Sequence, residues 1–229
     1  MYRNLTVTVC LPCRNEGGHI QDVVRGIPEF VDETIVISNR STDNTVEAAE
    51  AVGVKVIEED RAIKGIGYGY AHLSGIAAAT GDLIVGADGD GTYPLDVLDR
   101  VIDQLIDGNI DVISCNRYPL FDNTSISIKL RLGVWLLNQE VRLLYGVRIR
   151  DTLSGMWVIR RSAVERLALN QGDWNLSPQV KINAVTNKEL SFAEFHVNQR
   201  SRFGDSHQQY FSTGLSHAGW ILKNRLIHH

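Results

Sequence analysis

The first half of this sequence alternates apolar runs of strand length with segments of helical period, and that pattern limits the possible folds more than any other feature. The runs that predict strands are 5–11, 33–38, 54–58, 82–88 and 111–116. The segments that predict helices are 17–27, 45–53, 68–80 and 95–108. Strands and helices that alternate at this spacing form βαβ units. We therefore expect an α/β fold with a mostly parallel sheet flanked by helices.

The pattern changes from residue 117 onward, where the strict alternation stops. The elements predicted there are an amphipathic helix within 124–146, a turn and strand within 151–161, helices near 162–168 and 177–185, a strand near 190–195 and a closing helix at 210–226. The sequence contains no linker and no internal repeat. We predict a single domain, 1–229, in which residues 1–116 form the nucleotide-binding half.

Composition excludes several classes of protein. The 23 basic and 27 acidic residues give a net charge of −4 and a pI near 6.0, so there is no overall positive field to hold nucleic acid. The three cysteines are too few for a disulfide framework, which favours a reducing compartment. The N-terminus lacks the pattern of a secretory signal, and no stretch is apolar enough to span a bilayer. We expect a cytoplasmic protein that has no nucleic-acid partner.

Two carboxylates follow the predicted strand 82–88, in the order Asp88-Gly89-Asp90. In open α/β sheets ligands bind at the carboxyl ends of the strands. Paired carboxylate oxygens suit a hard cation such as Mg²⁺ or Mn²⁺, and a glycine between them lets a ligand approach closely. An Asp-Gly pair is also common in solvated turns, but here a strand precedes it and a helix that starts at a proline follows. We therefore predict a metal site at Asp88 and Asp90.

Basic residues suggest two further anion sites. Lys64 begins a glycine-containing segment before a predicted helix, so it is either a phosphate ligand or an ordinary solvated lysine. Between 129 and 150 only Glu140 opposes the basic residues, which indicates a site for an anion or a solvated basic face. These basic residues are Lys129, Arg131, Arg142, Arg148 and Arg150.

Several motifs occur together in one order along nearly the whole chain. They are LPCRNE (11–16), VISNRSTDNT (36–45), KGIGYGYAHLSGIAAATGD (64–82), ADGDGTYP (87–94), CNRY (115–118), DTLSGMWVIRR (151–161) and RFGDSH (202–207). With these motifs the sequence resembles the family 2 glycosyltransferases of GT-A fold, a Rossmann-like fold. It is most similar to the branch that acts on dolichyl or polyprenyl phosphate. The order of the motifs is far more specific than any one of them.

The resemblance implies a nucleotide-diphospho-sugar donor, bound by residues 1–116, and an acceptor bound by residues 117–229 and the C-terminal helix. It places a divalent metal at Asp90 with help from Asp88. The contacts that it implies for the donor's base or ribose come from Pro12, Arg14, Glu16 and Asn39. Transfer by a single displacement would invert the configuration of the sugar.

Three positions depart from the family pattern. Ser38-Asn39-Arg40 stands where the family usually has Asp-Asp-Gly, and the Asn39 amide both donates and accepts where a carboxylate only accepts. Arg14 replaces a tyrosine that would stack on the base, although a guanidinium also stacks. His207 replaces a lysine in the last motif, which would make a phosphate contact there sensitive to pH.

The acceptor follows from chemistry as well as from the resemblance. A phosphate oxygen is already ionised at neutral pH, so it needs cations to position it rather than a strong base. Arg117, Arg131 and Arg202 suit that task, and His207 is a fourth candidate. We expect an inverting transferase that moves a hexose to a polyprenyl phosphate at the cytoplasmic membrane face. The segment near 130–146 and the last helix would contact lipid, the last helix through Phe211, Leu215, Trp220, Ile221 and Leu226.

Two alternatives remain open. A hydroxyl acceptor on a soluble sugar or glycan would require a carboxylate base, for which Asp151 is the candidate; Asp151 is equally typical of a turn or helix cap. A nucleotide-binding domain without transfer activity would account for Ser38-Asn39 in place of paired aspartates.

Overall fold

The computed structural model describes residues 1–120, 126–203 and 209–228. Within them one sheet contains seven strands. The strands are β1 (Val7–Cys13), β2 (Glu33–Ser38), β3 (Lys55–Glu58), β4 (Leu83–Gly86), β5 (Val112–Asn116), β6 (Trp157–Arg160) and β7 (Phe192–His196). Their order across the sheet is β3-β2-β1-β4-β6-β5-β7.

The described residues also form eight α-helices. The helices are α1 (Ile20–Arg25), α2 (Thr45–Glu50), α3 (Tyr68–Ala78), α4 (Leu98–Asp107), α5 (Ile128–Tyr145), α6 (Val164–Leu167), α7 (Leu176–Thr186) and α8 (Tyr210–His228). Short 3₁₀ turns at Leu95–Val97 and Arg161–Ala163 precede α4 and α6.

The pairing of the strands confirms the predicted mostly parallel α/β sheet. β1 pairs in parallel with β2 and β4, β2 with β3, and β5 with β7. β6 is antiparallel to both of its neighbours, β4 and β5. The near-continuous apolar runs of β1, β2 and β4 are buried, as expected for strands covered on both faces.

Two apolar cores cover the two faces of the sheet. One core packs α1, α2 and α4 against β1, β4 and β5, with Leu98, Val101, Ile102 and Leu105 forming the buried stripe of α4. The other packs α3, α6 and α7 against the opposite face. The carboxyl ends of β1, β2 and β4 lie at one edge between these layers.

The prediction of a helix over 17–27 was too long, because α1 begins only at Ile20. The chain before it forms a turn in which Asn15 has a φ of +58°. The backbone nitrogen of Gly17 donates to Asp43 Oδ2 at 3.0 Å, so the loop after β1 is tied to the loop after β2. Both loops are therefore held at the same edge of the sheet.

Helices α5 and α8 pack against each other through a third apolar cluster, which includes Leu137, Val141 and Ile221. The expectation that Ile221 contacts lipid was wrong, since its side chain is fully buried in this cluster; Trp220 packs against the same cluster and is only partly exposed. Both helices carry exposed apolar stripes instead. The stripe of α5 includes Leu132, Leu136 and Leu143, and that of α8 includes Phe211, Leu215, Leu222 and Leu226. In the described part of the chain no helix has the length and apolar character needed to cross a bilayer.

Candidate active site

A cleft of about 300 Å³ opens at the carboxyl ends of β1, β2 and β4. This is the edge at which the sequence predicts ligand binding, and most of the predicted site residues line it. Those residues are Pro12, Arg14, Glu16, Asn39, Asp88, Gly89, Asp90, Arg117 and Arg202.

Three other predicted residues, Lys64, Arg131 and Asp151, do not line the cleft. Lys64 is exposed on a tight turn closed by hydrogen bonds between Ile63 and Ile66, and its neighbours Gly65, Ile66 and Gly67 line the cleft in its place. Arg131 lies on the exposed side of the first turns of α5, next to the cleft-lining Leu130. Asp151 is buried behind the cleft. His207 lies outside the described residues.

Asp88 and Asp90 follow β4 and face the cleft from its floor. Asp88 Oδ1 accepts a hydrogen bond from the Tyr68 hydroxyl at 3.1 Å. Asp90 Oδ1 accepts from the backbone nitrogen of Thr92 at 3.0 Å and from its hydroxyl at 2.6 Å. Burial, followed by the nearby charge of Asp90, raises the pKa of Asp88 to about 7. The charge of Asp90 therefore disfavours the ionised form of Asp88, and a bound cation would offset that repulsion.

The donor set at this position fits a hard divalent cation. Within residues 1–120, 126–203 and 209–228, no group of three His, Cys, Asp or Glu side chains is arranged to hold a metal alone. Two carboxylates that share a cation with ligand phosphate oxygens and water match the preference of Mg²⁺ or Mn²⁺. Asp88 and Asp90 are the residues that would hold such a cation.

Close packing fixes the backbone around these carboxylates. A Cβ atom on Gly89 would lie 2.2 Å from Cys13 Sγ, so only glycine lets this loop pack on the end of β1. A Cβ atom on Gly155, just before β6, would lie 2.8 Å from Asp88 Oδ1. The turn before β6 therefore forms a wall of the carboxylate site.

The side of the cleft formed by β1 and β2 presents Arg14, Glu16 and Asn39. Asn39 is buried, and its amide nitrogen donates to the backbone oxygens of Glu59 at 2.7 Å and Arg61 at 3.3 Å. Both amide hydrogens are engaged, so the group that remains for a ligand is the amide oxygen. Burial, followed by the charge of Asp90, raises the pKa of Glu16 to about 7.

Arg117 and Asp151 form a buried ion pair behind the opposite wall. Arg117 Nε lies 2.6 Å from Asp151 Oδ2, and Nη2 lies 2.9 Å from Oδ1. The backbone nitrogen of Arg117 donates to Oδ2 as well, at 3.1 Å. Burial alone would raise the pKa of Asp151, but Arg117 more than offsets it and lowers that pKa below its usual value. Asp151 is therefore an ionised, fully engaged partner of Arg117.

Arg202 contacts Asp90, one of the two carboxylates that follow β4. Its Nη2 is 2.9 Å from Asp90 Oδ2 and 3.9 Å from Glu16 Oε1. The backbone beside it is fixed, because Phe203 N donates to Asp90 O at 3.0 Å and Arg200 N donates to Thr92 O at 2.8 Å. The segment that ends at Phe203 thus runs alongside the Asp90–Thr92 turn.

The sequence did not identify several residues that complete the site. Tyr68 bonds Asp88, and the Tyr93 hydroxyl accepts a hydrogen bond from Gly155 N at 2.6 Å. Trp174 packs on the ring of Tyr68, with centroids 4.5 Å apart. Lys181 is fully buried in α7, where it donates to Ser154 O and where burial lowers its pKa to about 7. Tyr68 and Tyr93 lie inside quoted motifs, whereas Trp174 and Lys181 carry no local signal.

The mostly parallel sheet with paired aspartates at its carboxyl edge is the arrangement that the sequence predicts for a GT-A fold, and comparison with known proteins identifies the family. Residues 8–168 match glycosyl transferase family 2, which is 70% of the chain. The chain belongs to this family, and the resemblance read from its motifs is confirmed.

Two curated relatives come from the archaeon Haloferax volcanii. The low-salt glycan biosynthesis hexosyltransferase Agl6 is 27% identical over 226 residues, which cover 96% of this chain and 54% of the relative. The dolichyl-phosphate hexose transferase is 27% identical over 219 residues, covering 95% and 92%. The chain thus spans about half the length of the first relative and nearly all of the second.

Solved structures confirm the fold. Glucosyl-3-phosphoglycerate synthase from Mycobacterium tuberculosis, in complex with uridine diphosphate, superposes with a TM-score of 0.77 at 22% identity. The match covers 99% of this chain and 82% of that one. A complex of the same enzyme with Mn²⁺, UDP-glucose and phosphoglyceric acid gives a TM-score of 0.75. The predicted GT-A fold is therefore confirmed.

Proposed function

We propose that this chain is an inverting, Mg²⁺- or Mn²⁺-dependent hexosyltransferase whose acceptor is a polyprenyl phosphate at the cytoplasmic membrane face. The two relatives with hexose-transfer names support the reaction class. Residues 1–116 would bind the donor, and residues 117–229 would bind the acceptor within one domain. The bound cation would supply charge stabilisation to the leaving nucleoside diphosphate.

The donor side is proposed to hold a nucleotide through Pro12, Arg14, Glu16 and Asn39. A fold neighbour was solved in complex with uridine diphosphate, which supports a nucleotide as a ligand of this fold. Since the Asn39 amide nitrogen is engaged by Glu59 and Arg61, its oxygen takes the acceptor role that a carboxylate would have. That geometry favours a base with a ring N–H over a base that offers only acceptors there. Lys64, although exposed, remains a candidate for an outer phosphate contact.

The acceptor side is proposed to bind a phosphate through Arg117 and Arg202, with Arg131 and His207 as further candidates. Arg117 lines the cleft, and Asp151 holds two of its nitrogens from behind. This arrangement supports a positioning role for Asp151, because a general base needs a carboxylate oxygen free to reach the acceptor proton. An ionised phosphate acceptor needs no such base.

One observation carries the choice of a lipid-borne phosphate: the two helices with exposed apolar stripes also reach the cleft. Leu130 at the start of α5 and Tyr210 at the start of α8 both line it. From there the α5 stripe continues outward through Leu132, Leu136 and Leu143, which are 56%, 54% and 84% exposed. An acceptor chain that leaves the cleft would meet apolar side chains, and the same faces suit contact with a membrane.

The test compares acceptors and helix variants. Purified protein with Mn²⁺ and a panel of nucleotide sugars is assayed for transfer to long-chain polyprenyl phosphate in vesicles, to a short-chain water-soluble polyprenyl phosphate and to free sugars. We expect transfer to both lipid phosphates. The Leu136→Glu, Leu143→Glu double variant should lose transfer in vesicles but keep it with the short acceptor. Ile63→Glu, which changes an exposed apolar residue away from both helices, serves as the matched control.

Other outcomes identify the alternatives. Transfer to free sugars or glycans alone would establish the soluble-acceptor enzyme. Nucleotide binding without transfer or donor hydrolysis would establish a nucleotide-binding domain. Equal activity of the double variant and the control in vesicles would contradict the role of the α5 stripe.

A further inference from the structure

Arg202 contacts the one oxygen of Asp90 that a cation would need. Asp90 Oδ1 already accepts two hydrogen bonds from Thr92, at 3.0 and 2.6 Å. Oδ2 is therefore the oxygen available to a metal, and Arg202 Nη2 lies 2.9 Å from it. A divalent cation binds a carboxylate oxygen at about 2.1 Å, and a guanidinium on the same oxygen would repel it.

We propose that Arg202 competes with the divalent cation for Asp90, so that cation binding releases Arg202 to face the acceptor phosphate. This inference rests on the proposed function and adds an order to it: cation and donor bind before the acceptor. Arg202 then acts as a positioning residue that links the two halves of the site.

The contact between Arg202 and Asp90 has features that would let a cation displace the guanidinium. Arg202 Nη2 lies 2.9 Å from Asp90 Oδ2, and the buried Nε of Arg202 has no hydrogen-bond partner among the described residues. Its side chain is 32% exposed, so solvent borders the guanidinium and a change of rotamer would not require the backbone to move. Arg117 provides the contrast, because it is 8% exposed and binds Asp151 through two nitrogens. Of these two arginines beside the cleft, Arg202 is therefore the more exposed, and we expect it to be the one that moves.

The backbone of Arg202 is held at the cleft, so its guanidinium could leave Asp90 and still stay within the site. Its backbone stays in place through the bonds from Arg200 N to Thr92 O and from Phe203 N to Asp90 O. Phe203 also stacks on His19, with ring centroids 5.0 Å apart. When the guanidinium leaves Asp90, it remains tethered at the cleft, where a second anion can bind it.

The charges around Arg202 predict how its removal changes the affinity for a metal ion. Glu16, Asp88 and Asp90 all line the cleft, and Arg202 is the cation that contacts two of them in the described structure. Removing its charge leaves these carboxylates with a stronger attraction for a metal ion. Coupling of this kind is reciprocal: whatever draws Arg202 away from Asp90 must strengthen cation binding.

The experiment measures Mn²⁺ binding directly, without donor or acceptor, by the electron paramagnetic resonance signal of free Mn²⁺. Arg202→Gln should bind Mn²⁺ about tenfold more tightly than the unmodified chain. Arg202→Lys, which keeps the positive charge, should show a smaller gain in Mn²⁺ affinity. Arg200→Gln is the matched control: it removes a charge two residues away that pairs with Asp96 at 2.7 Å, and it should leave Mn²⁺ affinity unchanged. Thermal unfolding of each variant verifies that it is folded.

The results separate this inference from the function on which it rests. Equal Mn²⁺ affinity of the unmodified chain and both Arg202 variants, or weaker binding by Arg202→Gln, overturns the competition while the metal site stands. If neither the unmodified chain nor any variant binds Mn²⁺, the proposed cation site falls and the competition with it.

Discussion

The Arg117 guanidinium binds both carboxylate oxygens of Asp151 in a place closed to solvent. Asp151 is fully buried and Arg117 is 8% exposed. Charge pairs of this kind contribute little net stability but are costly to break, because the remaining charge stays buried without a partner. The pair therefore fixes the position of Arg117 on the wall of the cleft.

Replacing Asp151 by Asn should destabilise the fold by about 3–5 kcal/mol, since it leaves the Arg117 charge buried and uncompensated. Urea unfolding measures the change. Asp96→Asn breaks the exposed pair with Arg200 and should cost less than about 1 kcal/mol. The double variant Arg117→Gln, Asp151→Asn should lose less unfolding free energy than the sum of the losses in the two single variants. Similar losses for Asp151→Asn and Asp96→Asn would refute this account of the buried pair.

Replacing Asp90 by Ala should reduce hexose transfer at least about a hundredfold, because it removes a proposed ligand of the cation that stabilises the leaving group. The fold should remain, as judged by circular dichroism and thermal unfolding. Steady-state kinetics with saturating Mn²⁺ provides the measurement. Asp96→Ala, on the exposed side of the turn that follows, should keep full activity. Undiminished transfer by Asp90→Ala would remove Asp90 from the metal site.

Replacing Gly155 by Ala should lower transfer by about a hundredfold, because the new methyl group would lie 2.8 and 2.9 Å from the two oxygens of Asp88 and must displace that side chain. Mn²⁺ affinity should fall with it. Gly219→Ala is the control within α8, where an added Cβ meets no atom within 4 Å. That change should instead raise stability by roughly 0.5–1 kcal/mol. Normal Mn²⁺ binding by Gly155→Ala would show that the wall before β6 does not set the position of Asp88.

Replacing His72 by Leu should make the free energy of unfolding less dependent on pH below 6.5. Burial lowers the pKa of His72 from 6.5 to about 3, and neither ring nitrogen has a hydrogen-bond partner among the described residues. The folded state keeps this ring neutral while the unfolded state takes up a proton below pH 6.5, so stability is lost as pH falls from 6.5 toward 3.

The size of that effect follows from the linkage. Between pH 6 and pH 4 the unmodified chain should lose about 2.5 kcal/mol more than His72→Leu, as measured by urea unfolding at each pH. At neutral pH the two should differ by less than about 1.5 kcal/mol, because the side chains have similar volume. Parallel stability curves for the two proteins would mean that His72 titrates normally in the fold.

Much of the fold could be predicted because its signals are local. The buried stripe of α4 and the apolar runs of β1 and β4 have periods that depend only on neighbours along the chain. The beginning of α1 was misjudged because it depends on a distant contact, between Gly17 and Asp43. The orientation of β6 also escaped prediction, since its antiparallel pairing with β4 and β5 is a property of the whole sheet.

The candidate site could be predicted where its residues end a strand. Asp88, Asp90 and Asn39 meet at one edge because parallel strands bring their carboxyl ends together. The pairing of Asp151 with Arg117, 34 positions apart, could not be predicted, because nothing in a local pattern specifies it. The buried position of Lys181 could not be predicted either, because its hydrogen-bond partner, Ser154 O, lies 27 positions away in the chain.

The central position of β6 in the sheet limits where this chain can be cut into fragments that fold. β6 comes from the later part of the sequence, yet it lies between β4 and β5 and supplies hydrogen bonds to both. A fragment that stopped after Asn116 would lack β6, so β4 and β5, which flank it, would each have an unpaired edge. Unpaired edges of this kind attract other chains. The segments proposed to bind donor and acceptor share one sheet, so we expect that neither folds as an independent module when it is cut from the chain.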